Sequence, residues 1–154
     1  MRRMVQRLGG SPWFAAVGRR AVPLDLAVQR RTGGRISLLG LFGLPSLLLI
    51  TTGRRSGKPR PVPLLYAPRG SECLVVGSNW GRSQHPGWSS NLLAEPDALV
   101  RVRGRDVPVR ARQVTGAERD RLWREVLTRF WPAYDDYAAR AADREIRVFA
   151  LSPR

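Results

Sequence analysis

The segment Leu47 to Pro63, LLLITTGRRSGKPRPVP, joins an apolar run to a basic turn and then to a second extended stretch. Arg54, Arg55 and Arg60 bring guanidinium forks, Lys58 a point charge and Ser56 a hydroxyl, a donor set suited to phosphate or carboxylate oxygens. Gly53 and Gly57 give the backbone the freedom a tight loop needs. The GxxxxGK[ST] spacing of a P-loop is absent, so by itself the turn reads equally as an anion site or a solvated basic hairpin. Elsewhere the inventory is sparse. The one histidine, His85, precedes Pro86 in a turn, and no nucleophile, base and orienter set or metal-ligand spacing is visible. This argues against a hydrolase or a metalloenzyme and for a cofactor enzyme, in which the bound molecule carries the reactive atom and the protein supplies binding, orientation and electrostatics. The single cysteine, Cys73, in ECLVVGS, reads as a small core hydrophobe.

The elements that must position these residues follow from periodicity and turn signals. Strands are expected at Ser46 to Thr52, Arg60 to Ala67, Glu72 to Ser78, Ala98 to Arg103, Asp106 to Gln113 and Arg144 to Leu151. Val100, Val102, Val107 and Val109 fall on one face of a hairpin closed by Gly104-Arg105. Trp88 to Ala94 reads as a short helix, and Thr115 with Glu118 as a capping box for a helix burying Leu122, Trp123, Val126, Leu127 and Phe130. Residues 1 to 44 read as one or two short helices, including LDLAVQRR after Pro23, and a glycine-broken connection. Six strands with late helices suit a small antiparallel barrel. A chain of 154 residues makes one domain with one core.

The order of the pieces TTGRRSG (Thr51 to Gly57), PLLY (Pro63 to Tyr66), GSNWG (Gly77 to Gly81), HPGWSSNLLAEP (His85 to Pro96) and WPAYDDY (Trp131 to Tyr137) resembles the deazaflavin-dependent nitroreductase family of split-barrel oxidoreductases. The resemblance implies an α+β fold, mainly β: a six-stranded antiparallel split β-barrel of the FMN-binding kind over residues 45 to 154, preceded by the basic helical segment 1 to 44. It also implies reduced coenzyme F420, a deazaflavin with a polyanionic phosphodiester and glutamate tail. Carried over position by position, Arg54, Arg55, Ser56 and Arg60, with Gly57 in the same turn, would hold the tail. Pro61, Val62, Pro63, Leu64 and Leu65 would line the deazaflavin with backbone groups, and prolines without an N–H suit an edge that meets a ligand. Gly77, Ser78 and Asn79 fall where the family contacts the ring system and substrate, with Ser78 the candidate for polarising a substrate oxygen. Gly87, Trp88 and Asn91 fall on the helix that closes over the cofactor. Tyr134 and Tyr137 are the candidates for delivering a proton. Here the pattern departs: where relatives can have three tyrosines the late helix has Trp131, Tyr134 and Tyr137, and Leu65 rather than tyrosine precedes Tyr66. An indole stacks on a quinone or nitroaromatic but cannot deliver a proton as a phenol does.

Charge bounds the partners. The chain has 27 basic residues against 12 acidic ones, and only Lys58 is lysine. Residues 1 to 71 carry 13 basic residues and one acid, Asp25, whereas residues 72 to 154 carry 14 and 11. A polyanionic cofactor, an anionic membrane surface or nucleic acid would each meet such an excess. No helix-turn-helix spacing, zinc-ligand set or RNP aromatic pattern is present, so nucleic acid is not expected as a partner. The longest apolar run, Ile36 to Ile50, is 15 residues broken by Gly40, Gly43 and Pro45, short of the roughly 20 that span a bilayer. No signal-peptide core is visible, and the expected place is the cytoplasm, with peripheral contact to an anionic membrane through the N-terminal segment. The expected activity is hydride transfer from reduced deazaflavin to a quinone, enone or nitroaromatic, by a monomer or homodimer. FMN, or storage of a cofactor without turnover, is the alternative.

Overall fold

A computed structural model describes residues 2–154. Three helices come first: α1 (Arg2–Leu8), α2 (Pro12–Thr32) and the single turn α3 (Leu38–Leu41). The expectation of short helices is corrected, because α2 runs 21 residues straight through Pro23 and stops at the left-handed Gly33. Seven strands follow: β1 (Ser46–Thr52), β2 (Pro59–Leu65), β3 (Ala67–Arg69), β4 (Glu72–Val76), β5 (Asp97–Val102), β6 (Arg105–Val114) and β7 (Val148–Pro153). Helix α4 (Gly87–Ala94) lies between β4 and β5. Between β6 and β7, α5 (Gly116–Leu122) continues through a π turn at Trp123–Leu127 into α6 (Thr128–Phe130), and α7 (Ala133–Arg140) follows.

The strands form one antiparallel sheet in the order β2-β1-β5-β6-β7-β4-β3. Its two edges, β2 and β3, are neighbours in sequence with only Tyr66 between them. A single residue cannot cross a flat seven-stranded sheet, so the sheet curls until its edges nearly meet. The six expected strands are therefore seven: the stretch from Arg60 to Ala67 breaks at Tyr66, its first part pairing with β1 and its last residue with β4. The last strand also starts later than its sequence indicates, at Val148 rather than Arg144, because the Arg144 guanidinium is held by loop carbonyls instead.

Alternation along the strands builds two apolar clusters. One, under α4, gathers Leu47, Leu49, Val75, Val100, Phe149 and Trp88. The other gathers Leu74, Val114, Leu122, Leu127, Trp131, Tyr134, Tyr137 and Val148 beneath the late helices. Trp123, Val126 and Phe130 are only partly buried against it. The β5–β6 turn is Arg103-Gly104, one residue earlier than expected, both left-handed at φ 51° and 79°. The capping box does not form: Thr115 precedes α5 without a side-chain cap, and the Glu118 carboxylate that would reach back to it accepts from Arg112 at 3.1 Å instead. Helices α1 and α2 pack onto α6 and α7. Gly9 lies under Trp131, Gln6 donates to the Phe130 carbonyl at 2.7 Å, and the Tyr137 hydroxyl donates to the Gly9 carbonyl at 2.7 Å. Asp25, the only acid among residues 1–71, is buried and accepts from the Gln29 amide at 2.9 Å and the Leu38 backbone N–H at 2.6 Å, tying α2 to α3.

Candidate functional site

The β1–β2 turn is tight for local reasons. The Gly53 N–H donates to the Lys58 carbonyl at 2.8 Å, and the Gly57 N–H to the Gly53 carbonyl at 2.8 Å, with Gly57 at φ 67°. A Cβ on Gly53 would lie 2.6 Å from the Ser56 hydroxyl. That hydroxyl accepts from the Lys58 N–H at 3.2 Å and from Arg60 Nη2 at 3.3 Å. The turn thus presents four cations on a fixed backbone, and among the described residues no carboxylate pairs with Arg54, Arg55, Lys58 or Arg60.

Helix α4 locks the first of these arginines. Asn91 is buried, and its Oδ1 accepts from the Arg54 N–H at 3.2 Å and from Arg54 Nη1 at 3.0 Å. Its Nδ2 donates to the Thr51 hydroxyl at 3.0 Å, which fixes the amide's orientation. Arg54 Nη1 also donates to the Gly87 carbonyl at 3.3 Å.

The turn, the edge strand β2, the loop after β4 and the start of α4 enclose an open cleft of about 640 Å³. Its lining includes Arg54, Arg55, Ser56, Arg60, Pro61, Val62, Asn79, Gly87, Trp88 and Asn91, all singled out from the sequence. Gly57 sits exposed at the apex of the turn beside it. Pro63, Leu64 and Leu65 continue β2 away from the opening, Pro63 buried and the two leucines packed against the core clusters. Gly77 and Ser78 are not in the lining, and their carbonyls accept from Arg144 at 3.2 and 2.8 Å. Tyr134 and Tyr137 are apart from the cleft, buried in the cluster under the late helices with their rings 6.3 Å apart. Burial pushes both phenols above their ordinary pKa, so they stay protonated. Gly53, named for the turn's geometry, also lines the cleft, as do Gln84, His85 and Pro86, which were not singled out as binding residues. The string HPGW held the only available signal for His85 and Pro86, a lone histidine directly before a helix start, and Gln84 carried none.

His85 is half-buried, with Nδ1 3.2 Å from Arg144 Nη1. Partial burial, then Arg147 and Arg144, lower its pKa, so the ring is neutral near pH 7. Arg147 donates to the Ser89 and Ser90 hydroxyls at 3.1 Å each, bracing the first turn of α4.

The arrangement is chemically asymmetric. One end is an unneutralised basic turn suited to a polyanion. The adjoining walls, Pro61, Val62 and the Trp88 indole, suit a flat heteroaromatic ring, with Trp88 held from behind by Phe149 at a centroid separation of 5.9 Å. A cofactor with an anionic tail and a planar head fits that donor set. Among the described residues there is no cluster of potential metal ligands.

Comparisons with known proteins agree with this geometry. The family described as F420H(2)-dependent quinone reductase matches residues 22–153. An F420H(2)-dependent quinone reductase of Mycobacterium tuberculosis (strain ATCC 25618 / H37Rv) is 37% identical over 140 residues, covering 90% of this chain and 93% of the relative. The solved structure of an F420-H2 dependent reductase, FDR-A, superposes with a TM-score of 0.62 at 34% identity, over 70% of this chain and 94% of that one. A structure described as a domain-swapped dimer superposes with a TM-score of 0.63 at 34% identity, over 70% of this chain and 80% of that one. With the curled antiparallel sheet, the basic turn and the match over nearly all of the chain in agreement, the protein is a member of the F420H(2)-dependent quinone reductase family.

Proposed function

We propose that this protein oxidises reduced coenzyme F420 and passes the reducing equivalents to a quinone. The observation that carries the reading is the set of unpaired cations at Arg54, Arg55, Lys58 and Arg60 beside a flat apolar wall. When bound, the cofactor supplies a hydride. Arg54, Arg55 and Arg60, with the Ser56 hydroxyl, hold its phosphate and carboxylate tail, and Asn91 keeps Arg54 aimed at it. Pro61, Val62 and Trp88 flank the ring and keep water from its faces. Ser78, the hydroxyl expected to polarise an acceptor oxygen, lies outside the cleft lining beside Asn79 and takes no part in this reading. The proton that completes reduction comes from solvent through the open cleft, because both late tyrosines are buried away from it. Enones and nitroaromatics of similar size and polarity are further acceptors.

The N-terminal helices add a second feature. Trp13, Val17 and Leu24 are each more than half exposed and lie on one face of α2, with the exposed Arg20, Arg30 and Arg31 close by. Leu41 and Phe42 are exposed on and just after α3. Apolar side chains among arginines match an anionic membrane interface, where lipid-soluble quinones reside. No helix of the described residues is long and apolar enough to cross a membrane. The likeness to a domain-swapped dimer supports a homodimer.

The deciding experiment is a fluorescence titration with F420, FMN run in parallel, on the wild type and on the Arg54→Ala/Arg55→Ala/Arg60→Ala variant. Salt-sensitive binding of F420 by the wild type, lost in the variant, is expected. Unchanged affinity in the variant removes the tail-binding assignment, and binding of FMN alone overturns the cofactor.

A further inference from the structure

We propose that His85 is a neutral hydrogen-bond donor to the quinone: Arg144 occupies its Nδ1, and the Nε2–H that this enforces meets the acceptor's carbonyl oxygen in the cleft. The inference rests on the quinone-reductase reading and assigns that site its electrophile.

The argument starts from hydrogen-bond inventory. A guanidinium has five N–H groups and no acceptor, so at 3.2 Å from Arg144 Nη1 the imidazole Nδ1 must supply the lone pair. The ring proton then sits on Nε2. Since His85 lines the cleft and its Nδ1 is taken, Nε2–H is the side-chain polar group left for a ligand.

Arg144 is itself immobile. Its Nε donates to the Arg82 carbonyl at 3.0 Å, Nη1 to Gly77 at 3.2 Å and Nη2 to Ser78 at 2.8 Å. One side chain thereby ties both ends of the loop from Gly77 to His85. That loop contains three successive left-handed residues, Asn79, Trp80 and Gly81, at φ 45°, 57° and 78°. Such a run is costly for the two non-glycine residues and survives only when its surroundings hold it. The Trp80 ring does so, wedged against Gly18 of α2 and 6.1 Å from the Tyr137 ring. A structural histidine in a turn needs none of this. Here the loop is strained and clamped, and its cleft face consists of Asn79, Gln84 and His85.

Electrostatics give the donor its strength. The charged groups acting on the ring are Arg144 and Arg147, both cationic, so a protonated imidazole would add a third positive charge. A neutral imidazole with a cation fixed behind it is a polarised donor that can stabilise growing negative charge without being a base. A quinone that accepts a hydride becomes a hydroquinone monoanion, and a proton from solvent then completes the hydroquinone. The Nε2–H bond is strongest at the stage where the oxygen carries that charge.

The chain has one histidine, so imidazole signals in ¹⁵N NMR of untagged protein report His85 alone. The Nε2–H tautomer is expected near neutral pH without any cofactor, and a mixture of tautomers in Arg144→Gln. An Nδ1–H tautomer in the wild type overturns the proposal. In steady-state assays with menadione, His85→Phe is expected to lower kcat by on the order of 100-fold. His85→Gln, which keeps an N–H near the Nε2 position, recovers most of the loss. Affinity for F420 by fluorescence stays within about twofold in both variants. Equal losses in Gln and Phe, or none in Phe, overturn the proposal, and the tautomer measurement decides it if His85→Phe fails to fold. If wild-type protein binds no F420, the quinone-reductase reading fails instead, and the tautomer result separates the two.

Discussion

Asn91 joins the buried core to the anion-binding turn, and its two ends do different work. Asn91→Leu leaves the Thr51 hydroxyl and the Arg54 N–H without partners, a cost of roughly 1–3 kcal/mol in urea denaturation. It also leaves Arg54 held only through the Gly87 carbonyl and weakens F420 binding in the same fluorescence titration. Tyr137→Phe removes the bond to the Gly9 carbonyl and is expected to lower stability by about 1 kcal/mol while the ring packing persists. His85 makes stability depend on pH. Its folded-state pKa lies below the ordinary 6.5, so the unfolded chain takes up the proton first. Stability is level above that value and falls as pH drops from it toward the lowered one, a slope that His85→Gln removes and that urea midpoints across this window measure. At this scale the basic turn was legible from its donor types as an anion site or a solvated hairpin, and Asn91 only through the family resemblance, with nothing in its own spacing to mark its bond to Arg54. The role of Arg144 was not, since 59 residues separate it from His85 and only tertiary folding brings them together.

Helix α2 is the element least visible in the sequence. Pro23 reads as a break, since an interior proline removes a hydrogen bond and crowds the preceding turn at a cost of about 3 kcal/mol, yet α2 continues through it where it packs against β2 and the Trp80 loop. Its contact with Trp80 depends on Gly18, where an added Cβ would fall 2.4 Å from the indole. Gly18→Ala therefore lifts the helix or tilts the ring, at a cost of about 1–3 kcal/mol from overpacking, readable as a lowered Tm. Strand β1 was legible to the residue, being an apolar run that ends at a glycine turn. The late strand was misplaced because Glu145, Ile146 and Arg147 look like strand residues locally, whereas Arg144 is recruited to the loop. Thr115 and Glu118 have the capping-box spacing, but two arginines compete for the carboxylate and take it. If α2 meets lipid, Trp13→Asp abolishes co-sedimentation with anionic liposomes at low salt and leaves F420 affinity intact. Absence of co-sedimentation by the wild type would remove the membrane from the account.

For the molecule as a whole, a formal net charge of +15 acts on two processes with opposite sign. Raising salt from about 10 to about 150 mM screens self-repulsion and raises Tm, while the same screening weakens attraction of a polyanionic cofactor. Parallel melting and titration series check both, and a common direction would show that the basic turn is not the main seat of binding. The curled seven-stranded sheet was foreseen as a six-stranded barrel because the passage of one stretch between two sheet edges cannot be read from local pattern. That passage has a mechanical meaning. Tyr66 is a one-residue tether across the seam, so neither edge strand can peel from the sheet without dragging the other. Pulling on the sheet loads β1 and β4 together, and amide protection in β2 and β3 rises or falls as one. Moving the chain ends to this residue by circular permutation cuts the tether and turns the seam into two independent fraying edges.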